Sequence, residues 1–167
     1  LWLPTYLKDV HHFSLQEIGL FQWAPYLCAA IGSLFGGWFA GKLIARGKSV
    51  NAARKLTTGI AACMMPVGIL AAHTSSPIVA LALIAVVLFG FQMWISNVQT
   101  LPSDLFASSA VGSVAGMGGT AAGISSLLFN LGTGWLVTQF GYGIVLTLAG
   151  ILAPVGVVVL FVLVGNI

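Results

Sequence analysis

Polar side chains that could bind hydroxyl groups are concentrated in one otherwise apolar segment of the chain. Gln92, Ser96 and Gln99 share one face of the helix predicted there, with Trp94 and Asn97 beside them. Such groups are costly in hydrocarbon unless they face protein or water. An aromatic ring covers the C–H surface of a sugar or polyol while an amide bonds its hydroxyls, so Gln92, Trp94 and Asn97 are candidate ligand-binding residues. Hydrogen bonding between helices would use the same groups and is the alternative.

A second polar stripe lies earlier in the chain. Gln22, Tyr26 and Ser33 fall on one face of a predicted helix, and we take Gln22 and Tyr26 as further candidates for the same site. Pro25 lies within this stripe. Because proline lacks a backbone N–H, we expect the helix to bend or open at that point.

Small residues form a stripe in a later segment. Gly112, Gly116, Gly119 and Gly123 recur at spacings of four, three and four, which puts them on one helical face. Membrane helices associate by close packing, so this face either packs against another helix or lets helices slide along it. The same rhythm continues to Asn130, which we expect to face a cavity.

The sequence contains no recognisable set of catalytic residues beside these polar and small-residue stripes. The sequence contains no HExxH, GxSxG or Walker loop, and no pair of intramembrane aspartates. Cys28 and Cys63 lie in apolar surroundings without the spacing of a metal site or a disulfide. The sequence therefore predicts no enzyme, no metal and no cofactor.

Composition defines the class of protein that must position these residues. Of 167 residues, 59% are hydrophobic and 5% are charged, where a soluble domain has about 25% charged residues. The mean hydropathy is +1.06. Six basic and three acidic side chains cannot cover a water-soluble surface. A soluble enzyme and a nucleic-acid binder are thereby excluded, and the bilayer becomes the expected partner.

Charge-free runs define the membrane spans. A helix that crosses the hydrocarbon core needs about 20 apolar residues, and nothing alternates with the period of a barrel strand. We predict an all-α membrane protein with five complete spans and the end of a sixth. The predicted spans are residues 18–41, 56–72, 77–101, 110–138 and 143–165, preceded by the partial span 1–8. Because Leu1 would begin inside a span, we expect the chain to be a fragment of a longer protein.

The basic residues predict the orientation. Five of the six flank one connection between spans: Lys42, Arg46, Lys48, Arg54 and Lys55. The positive-inside rule places this connection in the cytoplasm. Residues 8–17, 73–77 and 139–143 then lie outside, and the C-terminus lies inside.

The order of several motifs resembles the sugar-acid permeases, which are members of the anion:cation symporter family of the major facilitator superfamily. The motifs are WLPTYL at residues 2–7, APYL at 24–27, GGW at 36–38, KLIARGKS at 42–49, ARK at 53–55, the glycine-rich segment 112–123 and Gly-Tyr at 141–142. The resemblance covers essentially the whole chain. It implies the C-terminal six-helix half of a twelve-helix major facilitator fold, seated in a bacterial inner membrane.

The resemblance also implies roles for residues. Gln92 and Trp94 match the substrate-contact region of the tenth helix, while Trp2 and Tyr6 match the outer end of the seventh, where we take Tyr6 as a substrate contact. Gating or packing roles are implied for Gly36, Gly37, Arg46 and Arg54. The sequence differs from the family's gate motif at one position. Gly41 occupies the position where that motif usually carries an Asp, which leaves Arg46 without its usual ion-pair partner.

The implied function is import of a sugar acid such as a hexuronate, coupled to protons and performed by alternating access. The substrate-binding Arg and the proton-linked acid would lie in a missing N-terminal half, because no ionisable side chain lies deep in a predicted span. Three alternatives stay open: a carrier of a different organic anion, a membrane scaffold or assembly subunit that transports nothing, and an intramembrane enzyme.

Overall fold

The computed structural model describes residues 3–164. Leu1 and Trp2, in the partial first span, and Gly165, at the end of the last, lie outside the described residues. The described elements are all helices, which confirms the all-α prediction. They are α1 (Leu3–His11), α2 (Leu15–Phe21), α3 (Trp23–Ala45), α4 (Val50–Met64), α5 (Val67–Ala71), α6 (Pro77–Val98), α7 (Leu101–Leu105), α8 (Ser108–Phe140) and α9 (Tyr142–Val164).

Four helical segments are long and apolar enough to cross a membrane, judged by length and composition. They are Leu15–Ala45, Pro77–Leu105, Ser108–Phe140 and Tyr142–Leu163. The other predicted span, residues 56–72, consists of two helices, because α4 ends at Met64 and α5 begins at Val67. Pro66 lies in the gap, where its missing N–H interrupts the helical ladder. The exact boundaries of the predicted spans stay a prediction.

Local chemistry explains where the first long segment starts and breaks. Ser14 and Glu17 form a capping box at the start of α2, in which the Glu17 carboxylate accepts from the Ser14 N–H at 2.9 Å. The segment is interrupted at Gln22, between α2 and α3. The interruption lies three residues before Pro25, whose missing N–H leaves the Phe21 carbonyl without its helical partner. This is the break that the sequence predicts.

Helices α3 and α6 pack closely against each other. A Cβ added to Gly32 would collide with the backbone carbonyl of Phe89, and one added to Gly36 would lie 2.8 Å from the carbonyl oxygen of Met93. Real Cβ atoms do not approach so closely. The two helices therefore meet backbone to backbone, which only glycine at these positions allows.

Helix α8, unlike α3, is hardly buried by the other described helices. Its apolar window has no buried residue, and Thr133 is the one buried residue along its length. By contrast, a core of buried residues holds together the predicted outer ends of α1, α2, α5 and α6. Its members are Tyr6, Leu7, Ile18, Ala71, Ala80, Leu81 and Ile84.

Candidate functional site

The middle of α6 carries the two side chains best placed to meet a ligand. Gln92 and Trp94 are both half-buried, and the Gln92 amide makes no hydrogen bond within residues 3–164. The indole nitrogen of Trp94 is buried and has no acceptor among the described residues. Its ring lies 6.0 Å from that of Phe91, centroid to centroid. Because a buried indole N–H normally finds an acceptor, Trp94 is the clearest unsatisfied donor of the predicted site.

Asn97 is placed differently. It is 1% exposed, and its amide oxygen accepts from Nη1 of Arg54 at 3.0 Å. Its amide nitrogen donates to the Met93 carbonyl at 2.9 Å. Both ends of the amide are therefore occupied, so the predicted ligand contact serves helix packing in this structure.

Arg54 links its own helix α4 to two others, to α6 through the Asn97 amide and to α7 through Asp104. Its Nε donates to a carboxylate oxygen of Asp104 at 2.9 Å, and both side chains are largely shielded from solvent. The guanidinium thus ties α4 to Asn97 on α6 and to Asp104 on α7. Sequence reasoning assigned a gate role to Arg54 and missed its partner. Asp104 is the one acidic residue on the predicted cytoplasmic side, which could have indicated the pair.

The other residues with a predicted gating or packing role differ in whether another helix contacts them. Gly36 is in contact with α6, whereas a Cβ at Gly37 would meet nothing within 4 Å. Arg46 is exposed and forms no ion pair within the described part of the chain.

The polar stripe of α3 lies towards the predicted outer side. Gln22 is half-buried at the break between α2 and α3, and Tyr26 is 46% exposed. Tyr26 precedes Gly32 by six residues, which is about 9 Å along a helix. Since Gly32 faces Phe89, Gln22 and Tyr26 lie farther out than Gln92, and the structure does not bring these candidates together with Gln92.

Tyr6 is buried in the outer core and 5% exposed. Its hydroxyl donates to the Ala71 carbonyl at 3.0 Å and accepts from Nε2 of His11 at 3.1 Å. Its ring packs edge-on against Tyr142, 5.5 Å between centroids. Tyr142 in turn donates to Asp9 at 2.9 Å. Sequence reasoning proposed Tyr6 as a substrate contact, but here its hydroxyl is engaged by protein groups on both sides.

The glycine stripe of α8 faces open space. A Cβ at Gly112, Gly116, Gly119 or Gly123 would meet nothing within 4 Å. Asn130, farther along, is half-buried and donates to the Ser126 carbonyl of its own helix at 2.8 Å.

A cavity of about 610 Å³ lies between the end of α6, α7 and the first half of α8. Gln99 of the α6 polar face and Gly119 of the glycine stripe both line it. The inner end of the α6 polar face and part of the glycine stripe therefore line the same cavity, which lies on the predicted cytoplasmic side, whereas Gln92, Trp94 and Ser96 do not line it.

Long apolar helices, polar side chains within one of them and a wide cavity between two define a polytopic integral membrane protein. No family model matches the chain. It is 30% identical over 99% of its length to the hexuronate transporter of Escherichia coli K12. It is 28% identical over 99% to a D-galactonate transporter of E. coli O6:H1, and 27% identical over 93% to a probable sulfoacetate transporter of Cupriavidus necator.

These comparisons confirm the resemblance. The chain is homologous to sugar-acid and anion transporters of the major facilitator superfamily. It spans 38% of the length of the hexuronate transporter. That extent and the all-helical fold are consistent with the C-terminal six-helix half that the motifs indicate.

Proposed function

We propose that the chain is half of a carrier that moves a sugar acid or a similar organic anion across a bacterial inner membrane by alternating access, with its C-terminus in the cytoplasm. The observation that carries this proposal is the similarity to sugar-acid transporters over 99% of the chain. The membrane-length helices and the polar face of α6 support it. A carrier of this kind makes and breaks no covalent bond, so we propose no enzymatic role.

Substrate recognition is assigned to the middle of α6. The unpaired indole N–H of Trp94 is a donor for a hydroxyl or carboxylate oxygen, and its ring can cover the C–H face of a sugar acid. The Gln92 amide, two residues away, can both donate and accept. Neither group carries charge. These residues therefore suit the polyol portion of the substrate rather than its carboxylate.

The carboxylate and the coupling proton need other partners. Residues 56–103 and 105–167 contain no Asp, Glu, Lys or Arg, and an anion is bound most strongly by a cationic donor such as Arg. We propose that the cation, and the titratable group for proton coupling, belong to a further six-helix half of the longer carrier.

A different organic anion is the second candidate for the substrate. The similarity to a probable sulfoacetate transporter favours it, because sulfoacetate is a small sulfonate and not a sugar acid. In that case the polyol contacts of Gln92 and Trp94 would contribute little.

The test is uptake by the full-length carrier in proteoliposomes, with labelled glucuronate, galactonate and sulfoacetate, with and without an inward proton gradient. We expect uptake of a sugar acid that rises with the gradient. Uptake of sulfoacetate alone would move the assignment to the second candidate. If a full-length carrier that is folded and correctly inserted takes up none of the anions, the transport proposal is wrong and a scaffold role becomes the better explanation.

A further inference from the structure

An aromatic and two basic side chains form a strip at the predicted cytoplasmic end of α3. Trp38, Lys42 and Arg46 follow one another at intervals of four residues, and Arg46 is the C-cap of the helix. Each interval advances about 6 Å and turns only about 40° round the helix, so the three side chains are neighbours. Trp38 is 55% exposed, and both cations are exposed. Because Trp38 lies about 200° round the helix from Gly36, the strip begins on the side of α3 that faces away from α6.

The turn that ends α3 adds a third cation to this strip. Gly47 has a φ of +85°, a left-handed conformation that glycine adopts readily at the end of a helix. The chain reverses there, and the backbone N–H of Lys48 donates to the Leu43 carbonyl at 3.1 Å. Lys48 is therefore held beside the last turn of α3, close to Arg46, and it is exposed. We call these four residues the basic strip: Trp38, Lys42, Arg46 and Lys48.

The three cations of the basic strip have no counter-ion among the described residues. Residues 18–103 contain no Asp or Glu, and Asp104, the one acidic residue on the predicted cytoplasmic side, pairs with Arg54. The dipole of α3 favours cations at this end but supplies only about half an elementary charge. Like charges gathered in one place repel each other, and an anion bound between them removes that repulsion. The strip is therefore suited to an anionic partner.

The depth of the basic strip identifies the kind of anion. Lys42 is the first charged residue after residues 18–41, which contain none, so α3 leaves the hydrocarbon near Lys42. Trp38 lies about one turn earlier, at the interfacial level where tryptophan is enriched in membrane proteins. Nζ of Lys42 lies 4.5 Å from the centre of the Trp38 ring, which is a cation–π contact. This contact keeps the ammonium at the membrane surface, at the depth of the lipid headgroups.

We propose that the basic strip binds an anionic phospholipid of the cytoplasmic leaflet, such as phosphatidylglycerol. The phosphate of the lipid accepts hydrogen bonds from Lys42 and Arg46, and Lys48 adds a third positive charge beside it. The Trp38 ring contacts the glycerol and the first carbons of an acyl chain. Clusters of about four to eight basic residues just cytoplasmic of a membrane helix attract such lipids. Because Trp38 already holds Lys42 in place, less conformational freedom is lost on binding.

The position of the basic strip favours this lipid over other anions. The proposed transport site lies in the middle of α6, whereas the strip begins on the opposite side of α3. An acidic segment of a cytoplasmic protein could reach Arg46 and Lys48 but not the Trp38 ring, which lies at the level of the bilayer. A zwitterionic phospholipid carries the same phosphate, but its ammonium group would be repelled by the cations of the strip. The strip should therefore select a headgroup with a net negative charge.

Two lipids that differ in headgroup charge test the proposal. The full-length carrier, extracted in a mild detergent, is incubated with an equal mixture of phosphatidylglycerol and phosphatidylethanolamine that have identical acyl chains. Retained lipid is counted by native mass spectrometry. At low salt we expect phosphatidylglycerol to be retained about twentyfold better, the combined factor for two cations at the membrane surface. High salt should reduce this preference, because ions screen exposed charges. Equal retention of the two lipids at low salt overturns the proposal, since the strip would then be covered by another part of the carrier.

Single variants locate the binding site on the carrier. Lys42→Gln and Arg46→Gln should each lower the preference for phosphatidylglycerol about fivefold, the factor for one cation near the membrane surface. The matched control is Lys8→Gln, which removes the one basic residue outside this connection, an exposed side chain on the predicted outer side; it should leave the preference unchanged. A preference that survives in full in Lys42→Gln and Arg46→Gln contradicts the proposal.

A fourth variant separates lipid binding from membrane topology. Lys42→Gln and Arg46→Gln each remove a charge that helps to orient the chain. Trp38→Leu keeps every charge and removes only the ring that holds Lys42, so it should insert normally. We expect it to lower the preference for phosphatidylglycerol about two- to threefold, the factor for an exposed cation–π contact. If the charge variants fail to insert, an unchanged preference in Trp38→Leu overturns the proposal.

Discussion

Glycines at helical spacing occur in both α3 and α8, yet the structure uses them in different ways. In α3, Gly32 and Gly36 lie against the backbone of α6 so closely that no side chain would fit. In α8, the four glycines of the stripe, Gly112, Gly116, Gly119 and Gly123, have open space where a Cβ would be. Such spacing therefore indicates that a close approach is possible, but not that the partner lies in the same chain.

The cavity beside α8 relates the difference between the α3 and α8 glycines to the proposed transport function. Helices α3 and α6, which we call the locked pair, meet backbone to backbone at Gly32 and Gly36, whereas no described residue lies within 4 Å of a Cβ placed on the glycine stripe of α8. The polar residues Gln92 and Trp94 lie on the locked pair. In the proposed carrier, the recognition residues would therefore lie on a closely packed helix pair beside the less closely packed α8.

The largest expected effect comes from filling the locked interface. Gly32→Leu would force the α3 side chain into the Phe89 carbonyl, and overpacking of this kind costs about 3 kcal/mol. We expect a large drop in thermal stability, measured by light scattering or protease resistance on heating. The matched control is Gly116→Leu on the open stripe, which should leave the stability of the fold nearly unchanged. Equal destabilisation by both substitutions would contradict the contrast between the two helices.

The open stripe has a sharper test in transport. If helices slide along it in the complete carrier, Gly116→Leu should slow uptake while leaving membrane insertion and thermal stability normal. Uptake assays in proteoliposomes together with melting curves measure both quantities. Unchanged uptake would mean that the stripe of α8 serves neither sliding nor packing.

Trp94 tests whether the locked pair recognises the substrate. Trp94→Ala should reduce sugar-acid uptake at least about tenfold, since it removes both a stacking surface and a hydrogen-bond donor, each worth about 1 kcal/mol. The control is Trp135→Ala on α8, where the ring is 60% exposed and lies outside the proposed site. Membrane levels of each variant must be equal. Normal uptake by Trp94→Ala would remove this residue from the site.

A smaller effect is expected at the cytoplasmic end of the locked pair. The Arg54–Asp104 ion pair and the Arg54–Asn97 hydrogen bond join α4 to α6 and α7. A double-mutant cycle of Arg54→Gln and Asp104→Asn should give a coupling energy of about 1 kcal/mol, typical of a partly exposed pair. Thermal unfolding of the four proteins measures it. Strictly additive effects would show that the pair contributes nothing to holding α7.

Sequence reasoning succeeded for features that depend on the solvent and on local chemistry. The all-α membrane class follows from hydropathy alone, and the break near Pro25 follows from the missing N–H of proline. It was less successful for side-chain roles. Asn97 was proposed as a ligand contact because polar groups in hydrocarbon need partners, and Tyr6 because the resemblance matches it to the outer end of the seventh helix. Their partners, Arg54 and Ala71, lie 43 and 65 residues away in the chain, and residue types cannot reveal such pairings.

The smallest expected effect lies at the predicted outer end, where α1 meets α9. Burial lowers the pKa of His11 below its ordinary value, and the neighbouring His12 lowers it further. The folded state therefore favours the neutral imidazole. Its contribution to stability is present above the ordinary pKa of about 6.5 and is lost as the pH falls through the lowered value. Melting curves between pH 7.5 and 5 should show a modest loss of stability on acidification.

Two variants test whether this loss of stability comes from the contacts of His11 with Tyr6 rather than from the rest of the molecule. His11→Gln cannot be protonated, so its melting temperature should depend less on pH across this range. His73→Gln is the control, because His73 is exposed and takes no part in the Tyr6 contacts; its pH profile should match that of the unmodified protein. An unchanged profile in His11→Gln would show that His11 does not titrate with folding. The locked α3–α6 pair buries no titratable group at its glycine contacts. Its contribution to stability should therefore not change with pH in any of these variants.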